Sequence, residues 1–112
     1  MITGAHVMIY TRDEQADRAF LRDALELPHI DSGGGWLIFK LPPAELGVHG
    51  HERNDLHELH LICDDLDATI GRLAERGTTC DPVIEAEWGR STAIHLPGGG
   101  KLGLYQPSHA RP

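Results

Sequence analysis

The sequence has few of the features that mark secreted, membrane-spanning or nucleic-acid-binding proteins. Its 112 residues include only two cysteines, Cys63 and Cys80, too few for a disulfide framework, so a reducing, cytoplasmic location is expected. No stretch approaches the roughly 20 apolar residues that a membrane span needs. The 17 acidic residues outnumber the 10 Lys and Arg residues, and the net charge of −7 argues against binding phosphate backbones. We therefore expect no nucleic acid and no membrane as partners.

The composition is that of an ordinary globular protein, with 40% hydrophobic and 24% charged residues. A chain of this length predicts a single domain over residues 1–112. In its first half, residues 6–10 predict a short strand, and Asp13, or Thr11 with Glu14, predicts the start of a helix that ends at Pro28. Gly33–Gly35 predict a turn, and residues 36–41 and 45–49 predict two further strands.

The second half repeats this order. Residues 58–63 alternate as a strand, Asp64 and Asp65 predict a second helix, and Gly77 marks its end. Three more strands are predicted near residues 83–85, 90–96 and 101–105, with the last two joined by the turn at 97–100. When His6 is aligned with Glu58, the helix starts of the two halves coincide and their closing hairpins lie close to one another, which indicates an internal repeat.

The repeat predicts an α+β fold of two βαβββ modules, one at about residues 1–50 and one at about 56–108. Apolar strand residues should pack beneath the helices, and the opposite faces should form a curved mixed sheet, a cup that holds a ligand. The residues expected beneath the helices are Val7, Ile9, Leu46, Leu59, Leu61, Leu102 and Leu104.

Three segments resemble those of a known family. Residues 6–13 (HVMIYTRD) resemble an opening strand with a ligand histidine, residues 63–67 (CDDLD) the start of the second helix, and residues 96–107 (LPGGGKLGLYQP) a closing hairpin. Together they resemble the vicinal oxygen chelate superfamily, which comprises glyoxalases, bleomycin resistance proteins and extradiol dioxygenases. The resemblance covers essentially the whole chain and implies the glyoxalase-like fold.

The resemblance also implies a metal site with one ligand on each of four strands. Carried over, these positions are His6, Glu45, Glu58 and Gly103, so the third has glutamate in place of the usual histidine and the fourth has no side chain. One imidazole and two carboxylates suit a divalent metal such as Zn, Mn, Ni or Fe. His60 could substitute or assist. The alternative is that these polar groups line a solvated cleft.

Other residues are candidates for binding or catalysis. Glu45 or Glu58 could act as a base, and His60, Trp36 and Tyr105 could contact a ligand. A structural hydrogen bond is the alternative role for Tyr105. Trp88 could be an aromatic wall for a flat or cationic ligand, or it could equally fill a core edge or a dimer contact.

Two functions fit this pattern. One is a metal-dependent lyase, isomerase or dioxygenase acting on a small molecule, with the metal holding two neighbouring substrate oxygens. The other is a metal-free protein that sequesters an antibiotic, as bleomycin resistance proteins do. A homodimer is expected in either case, because open sheet edges favour pairing.

Overall fold

The computed structural model describes residues 6–112, which form two helical segments and six strands in two sheets. This confirms the predicted α+β class. No helix within residues 6–112 has the length and apolar character needed to cross a membrane.

The first helical segment follows the predicted cap. Helix α1 spans Glu14–Ala19, and the side chain of its N-cap, Asp13, accepts a hydrogen bond from the amide of Ala16. It continues as a π-helical turn over Phe20–Ala24, where Phe20 is buried. The guanidinium of Arg76 donates to two carbonyls of this turn, which ties it to the second half of the chain.

The smaller sheet is a hairpin. Strands β1 (His29–Asp31) and β2 (Leu37–Phe39) pair antiparallel around the glycine turn at 33–35, where all three glycines have positive φ. The turn was predicted, whereas β1 was not. Three residues directly after Pro28 are too short a run to show a two-residue period.

The larger sheet contains strands β3 (His60–Ile62), β4 (Ile84–Ala86), β5 (Gly89–His95) and β6 (Lys101–Pro107), in the order β3-β6-β5-β4. β3 runs parallel to β6, and the other neighbours are antiparallel. Helix α2 spans Leu66–Glu75 between β3 and β4. Asp65 caps it, and Gly77 follows with φ +80°, as the sequence predicts.

The core lies between the helices and one face of the larger sheet. Leu102 and Leu104 are buried there as predicted, and Leu59 and Leu61 pack against them while half-buried. The buried hydrophobic residues are Phe20, Leu66, Leu73, Ile94, Leu96, Leu102 and Leu104.

Two predicted strands do not form. Residues 6–10 and 45–49 have no regular secondary structure, and β1 and β2 are the only strands in the described first half. Val7 and Ile9 are exposed rather than buried, and Leu46 is 92% exposed. The prediction of their burial is therefore wrong. An alternating pattern specifies two faces, but a strand forms only when a neighbouring strand takes its backbone hydrogen bonds.

Candidate functional site

The larger sheet has one face without helices, which we call the open face. It carries the residues that alternate with the core leucines on β3, β5 and β6. Because register places His60 beside Gly103 and Ser91 opposite Tyr105, side chains from three strands meet there. The residues of the open face are His60, Ile62, Ser91, Ala93, His95, Lys101, Gly103 and Tyr105.

Tyr105 is the centre of a cluster of rings. Its ring centroid lies 5.5 Å from that of Trp88 and 6.3 Å from that of His60, both in edge-to-face arrangements. His109 lies 5.8 Å away and is tilted against the same ring. These are the separations at which aromatic rings interact favourably. We call these four residues the Tyr105 cluster.

The phenol of Tyr105 is fixed at both ends. Its hydroxyl donates a 3.1 Å hydrogen bond to the carbonyl oxygen of Trp88, which is the structural bond named as the alternative role of this residue. Its ring lies over Gly89, where an added Cβ would stand 2.9 Å from Cε2. Burial, and then the negative charge of Glu45, raise the pKa of Tyr105. The hydroxyl therefore stays protonated and remains a donor.

The imidazole of His60 lies over Gly103, on the neighbouring strand. A Cβ at position 103 would stand 2.7 Å from Cγ and 2.8 Å from Nε2 of His60, closer than real Cβ atoms approach. The space at the fourth ligand position implied by the resemblance is thus filled by His60. The His60 side chain remains exposed to solvent on its outer side.

Glu45 lies beside the Tyr105 cluster and is bound by the C-terminal segment. One carboxylate oxygen is 3.3 Å from Nε of Arg111, and the other is 3.8 Å from Nε2 of His109. The Glu45 side chain is only 21% exposed. This carboxylate therefore adds a partly neutralised negative charge at the edge of the rings.

The other two predicted metal ligands lie elsewhere. His6 and Glu58 are both exposed, outside any strand, and Glu45 is engaged by Arg111. Within residues 6–112, no three His, Cys, Asp or Glu side chains are grouped as a metal site would need. The residues of one chain, as placed, do not fit a bound metal, and the metal site stays a prediction.

The sequence predicts His60 and Tyr105 as ligand contacts. It does not predict His109, which belongs to the Tyr105 cluster. Nothing in the local pattern marks a histidine three residues from the end of the sequence. The sequence does not decide between the alternative roles of Trp88, which in the structure contributes a ring to the cluster. Trp36 lies on the other sheet, immediately before β2, and is half exposed.

A second polar group lies at the opposite end of the open face. The Asp81 carboxylate accepts from Lys101 at 2.8 Å and is 2.6 Å from Nε2 of His95, whose Nδ1 is 3.1 Å from the Thr79 hydroxyl. These bonds hold residues 79–81 beside β5. Lys101 and His95 lower the pKa of Asp81, which keeps it ionised.

The two thiols are not activated. Burial raises the pKa of both Cys63 and Cys80, and neighbouring aspartates add to the effect. A thiol becomes nucleophilic when its pKa is lowered, so neither cysteine is a candidate nucleophile.

Comparison with solved structures places the whole chain in one structural group. It superposes with a TM-score of 0.65 on TnmS3, an antibiotic binding protein from a Streptomyces species, at 26% identity, covering 96% of this chain and 100% of that one. It superposes with a TM-score of 0.66 on a lactoylglutathione lyase from Agrobacterium tumefaciens, at 17% identity, covering 93% and 92%.

A third similar structure is a member of the glyoxalase/bleomycin resistance protein/dioxygenase superfamily from Sphaerobacter thermophilus. The TM-score is 0.66 at 23% identity, covering 94% of this chain and 98% of that one. No protein-family model matches the sequence, and no curated protein matches it either. Each of the three structural matches nevertheless covers nearly the full length of this chain. The chain therefore has the glyoxalase-like fold that the resemblance to the vicinal oxygen chelate superfamily implies.

Proposed function

We propose that the protein binds a small planar organic molecule on its open face, against the Tyr105 cluster, without transforming it. The observation that carries this proposal is the set of rings around Tyr105, which Gly89 and the bond to Trp88 hold in place. A preformed aromatic surface loses little conformational entropy when a flat ligand stacks on it.

The chemistry of the cluster indicates the kind of ligand. Tyr105 and Trp88 offer apolar ring surface, while the exposed imidazole of His60 offers a hydrogen bond to a polar group on the same molecule. Glu45 adds a carboxylate at the edge. We therefore expect a ring system with at least one hydroxyl or amine substituent.

The comparisons support binding over catalysis. The similar structure described as an antibiotic binding protein has 26% identity, whereas the lactoylglutathione lyase has 17% and shows a shared fold only. A metal-dependent reaction remains the second candidate. It would need His6, Glu45 and Glu58 to meet at one Zn, Mn, Ni or Fe ion, with Glu45 or Glu58 as the base.

NMR of the tryptophan indoles provides the test, because the sequence has only Trp36 and Trp88. The substitution Trp36→Phe assigns the two indole N–H signals. Titration with 2-naphthol, a two-ring phenol, should shift the Trp88 signal in a saturable way and leave Trp36 in place. Tyr105→Leu should weaken the affinity about tenfold, the effect of losing about 1.4 kcal/mol of ring contact.

The control is Phe39→Leu, which removes a ring from the other sheet and should leave the affinity unchanged. Equal shifts at Trp36 and Trp88, or no effect of Tyr105→Leu, would contradict the proposed site. Repeating the titration after metal removal, and again with added Zn or Mn, separates the two functions. Binding that requires metal and fails in His6→Ala would favour the enzyme.

We also propose that the protein acts in the cytoplasm as a homodimer. Both cysteines are free thiols, which a reducing compartment preserves. Segments 6–10 and 45–49 leave apolar side chains in solvent, Val48 at 95% exposure among them. Exposed apolar groups of this kind mark interaction surfaces.

A further inference from the structure

We propose that Gly103 is a positioning residue that seats the His60 imidazole on the open face, so that positions 60 and 103 act as a coupled pair. The role of the His60 imidazole in ligand binding rests on the proposed function. The position of the ring itself can be measured without any ligand.

The pairing of β3 and β6 brings the His60 side chain over residue 103. His60 and Gly103 are direct neighbours in the parallel register, and both lie on the open face. Neighbouring strands are about 4.8 Å apart, so a ring that leans across from β3 lies above the Cα of its neighbour on β6. A Cβ on residue 103 would enter the ring of His60, with Nε2 at 2.8 Å.

The collision could be relieved only by moving the ring. Residue 103 lies in the middle of β6, which is bonded on one side to β5 and on the other to β3, so its backbone is held on both sides. The His60 side chain is exposed and can rotate outward. Any side chain at position 103 would therefore displace the imidazole away from Tyr105, whose ring it meets edge-on at 6.3 Å.

The residue at position 103 determines which polar group the site presents to a ligand. With glycine at 103, the site presents an imidazole from β3; with a larger residue there, it would present that residue and lose the imidazole. The pair thereby sets which polar group a ligand stacked on Tyr105 meets. His60 is the contact, and Gly103 acts through it.

The first measurement is the nuclear Overhauser effect between Hδ2 of His60 and the Hα protons of Gly103, in the ligand-free protein. We expect a strong Overhauser effect in the wild type. In Gly103→Ala, we expect the effect between Hδ2 of His60 and Hα of residue 103 to be lost. The control is Gly100→Ala, the same substitution in the turn directly before β6, where no atom lies within 4 Å of an added Cβ. It should preserve the His60 contact.

The second measurement is a double-mutant cycle on 2-naphthol affinity and on thermal stability. Gly103→Ala and His60→Ala should each weaken binding about tenfold, and the double variant should be no weaker than either. Gly103→Ala should lower the melting temperature in the wild type and have no such effect in His60→Ala, where the ring is gone.

Additive effects in the cycle, or a retained His60 contact in Gly103→Ala, would overturn the inference. The wild type could fail to bind 2-naphthol while the ring contact and the coupled loss of stability are both observed. In that case the positioning of His60 by Gly103 is supported, and the proposed ligand site is contradicted. The two failures are thus distinguishable.

Discussion

Side chains on the open face are positioned by hydrogen bonds and by glycines whose missing Cβ leaves room for an aromatic ring. Gly89 lies beneath the ring of Tyr105, and Gly103 lies beneath the ring of His60. A Cβ on either glycine would collide with the ring above it. In a sequence, such glycines are indistinguishable from those of turns. Their role depends on the register between strands, which local patterns do not specify.

The Asp81 group provides a prediction on pH dependence. Lys101, and then His95, lower the pKa of Asp81, so its carboxylate stabilises the fold above its ordinary pKa of about 3.9. This contribution is lost as pH falls through the lowered value. Lys101→Met should therefore reduce the urea midpoint at pH 6, and its difference from wild type should shrink below about pH 4.

The matched control is Lys40→Met, because Lys40 is the other lysine of the sequence and is exposed beside β2. It should show no comparable pH-dependent difference. An equal loss for Lys101→Met at pH 6 and at pH 3 would show that the ion pair with Asp81 does not supply the stability.

Among the elements, α2 formed where its local signals predicted it. Asp65 caps the helix through the amide of Ala68, and Gly77 ends it with φ +80°. Such signals lie within a few residues of one another, so they can be read without knowing the fold. The strands at 6–10 and 45–49 failed as predictions because their pattern carried no information on a partner strand.

A glycine inside α2 gives a prediction on stability. Gly71 is exposed, has an ordinary helical φ, and would meet no atom within 4 Å if it carried a Cβ. Gly71→Ala should stabilise the protein by about 0.5–1 kcal/mol, because alanine loses less conformational freedom in a helix. Chemical denaturation followed by circular dichroism measures this change.

Gly77→Ala is the matched comparison and should have the opposite sign. Its positive φ is strained for a residue with a Cβ, so about 1 kcal/mol of destabilisation is expected. Stabilisation by both substitutions would show that the cap at the end of α2 does not hold this conformation.

For the whole molecule, the sequence predicted the α+β class and the order of the second half, and it placed His60 and Tyr105 on one face. It could not show that His109 returns to Tyr105, because that contact depends on the path of the C-terminal segment. It also could not show that the first half would leave apolar segments in solvent, because an alternating pattern does not specify which surface, if any, covers its apolar face.

The exposed surface of the chain is larger than that of a compact monomer of the same mass. The chain exposes 8750 Å², whereas a folded monomer of its mass exposes about 6,100 Å². Its radius of gyration is 14.9 Å, against about 13 Å for a compact domain of this length. If each of two copies buried half of the excess, the interface would total about 2,600 Å², within the range of obligate homodimers.

We therefore expect light scattering at micromolar concentration to give twice the chain mass of 12.3 kDa. Val48→Asp should shift the equilibrium towards monomer by tenfold or more, because it would bury an unpaired carboxylate in the interface. Ala68→Asp adds the same charge to an exposed position of α2 and should leave the dimer intact. A wild-type monomer at tens of micromolar, or equal effects of the two substitutions, would mean that the segment at 45–49 does not meet a second copy.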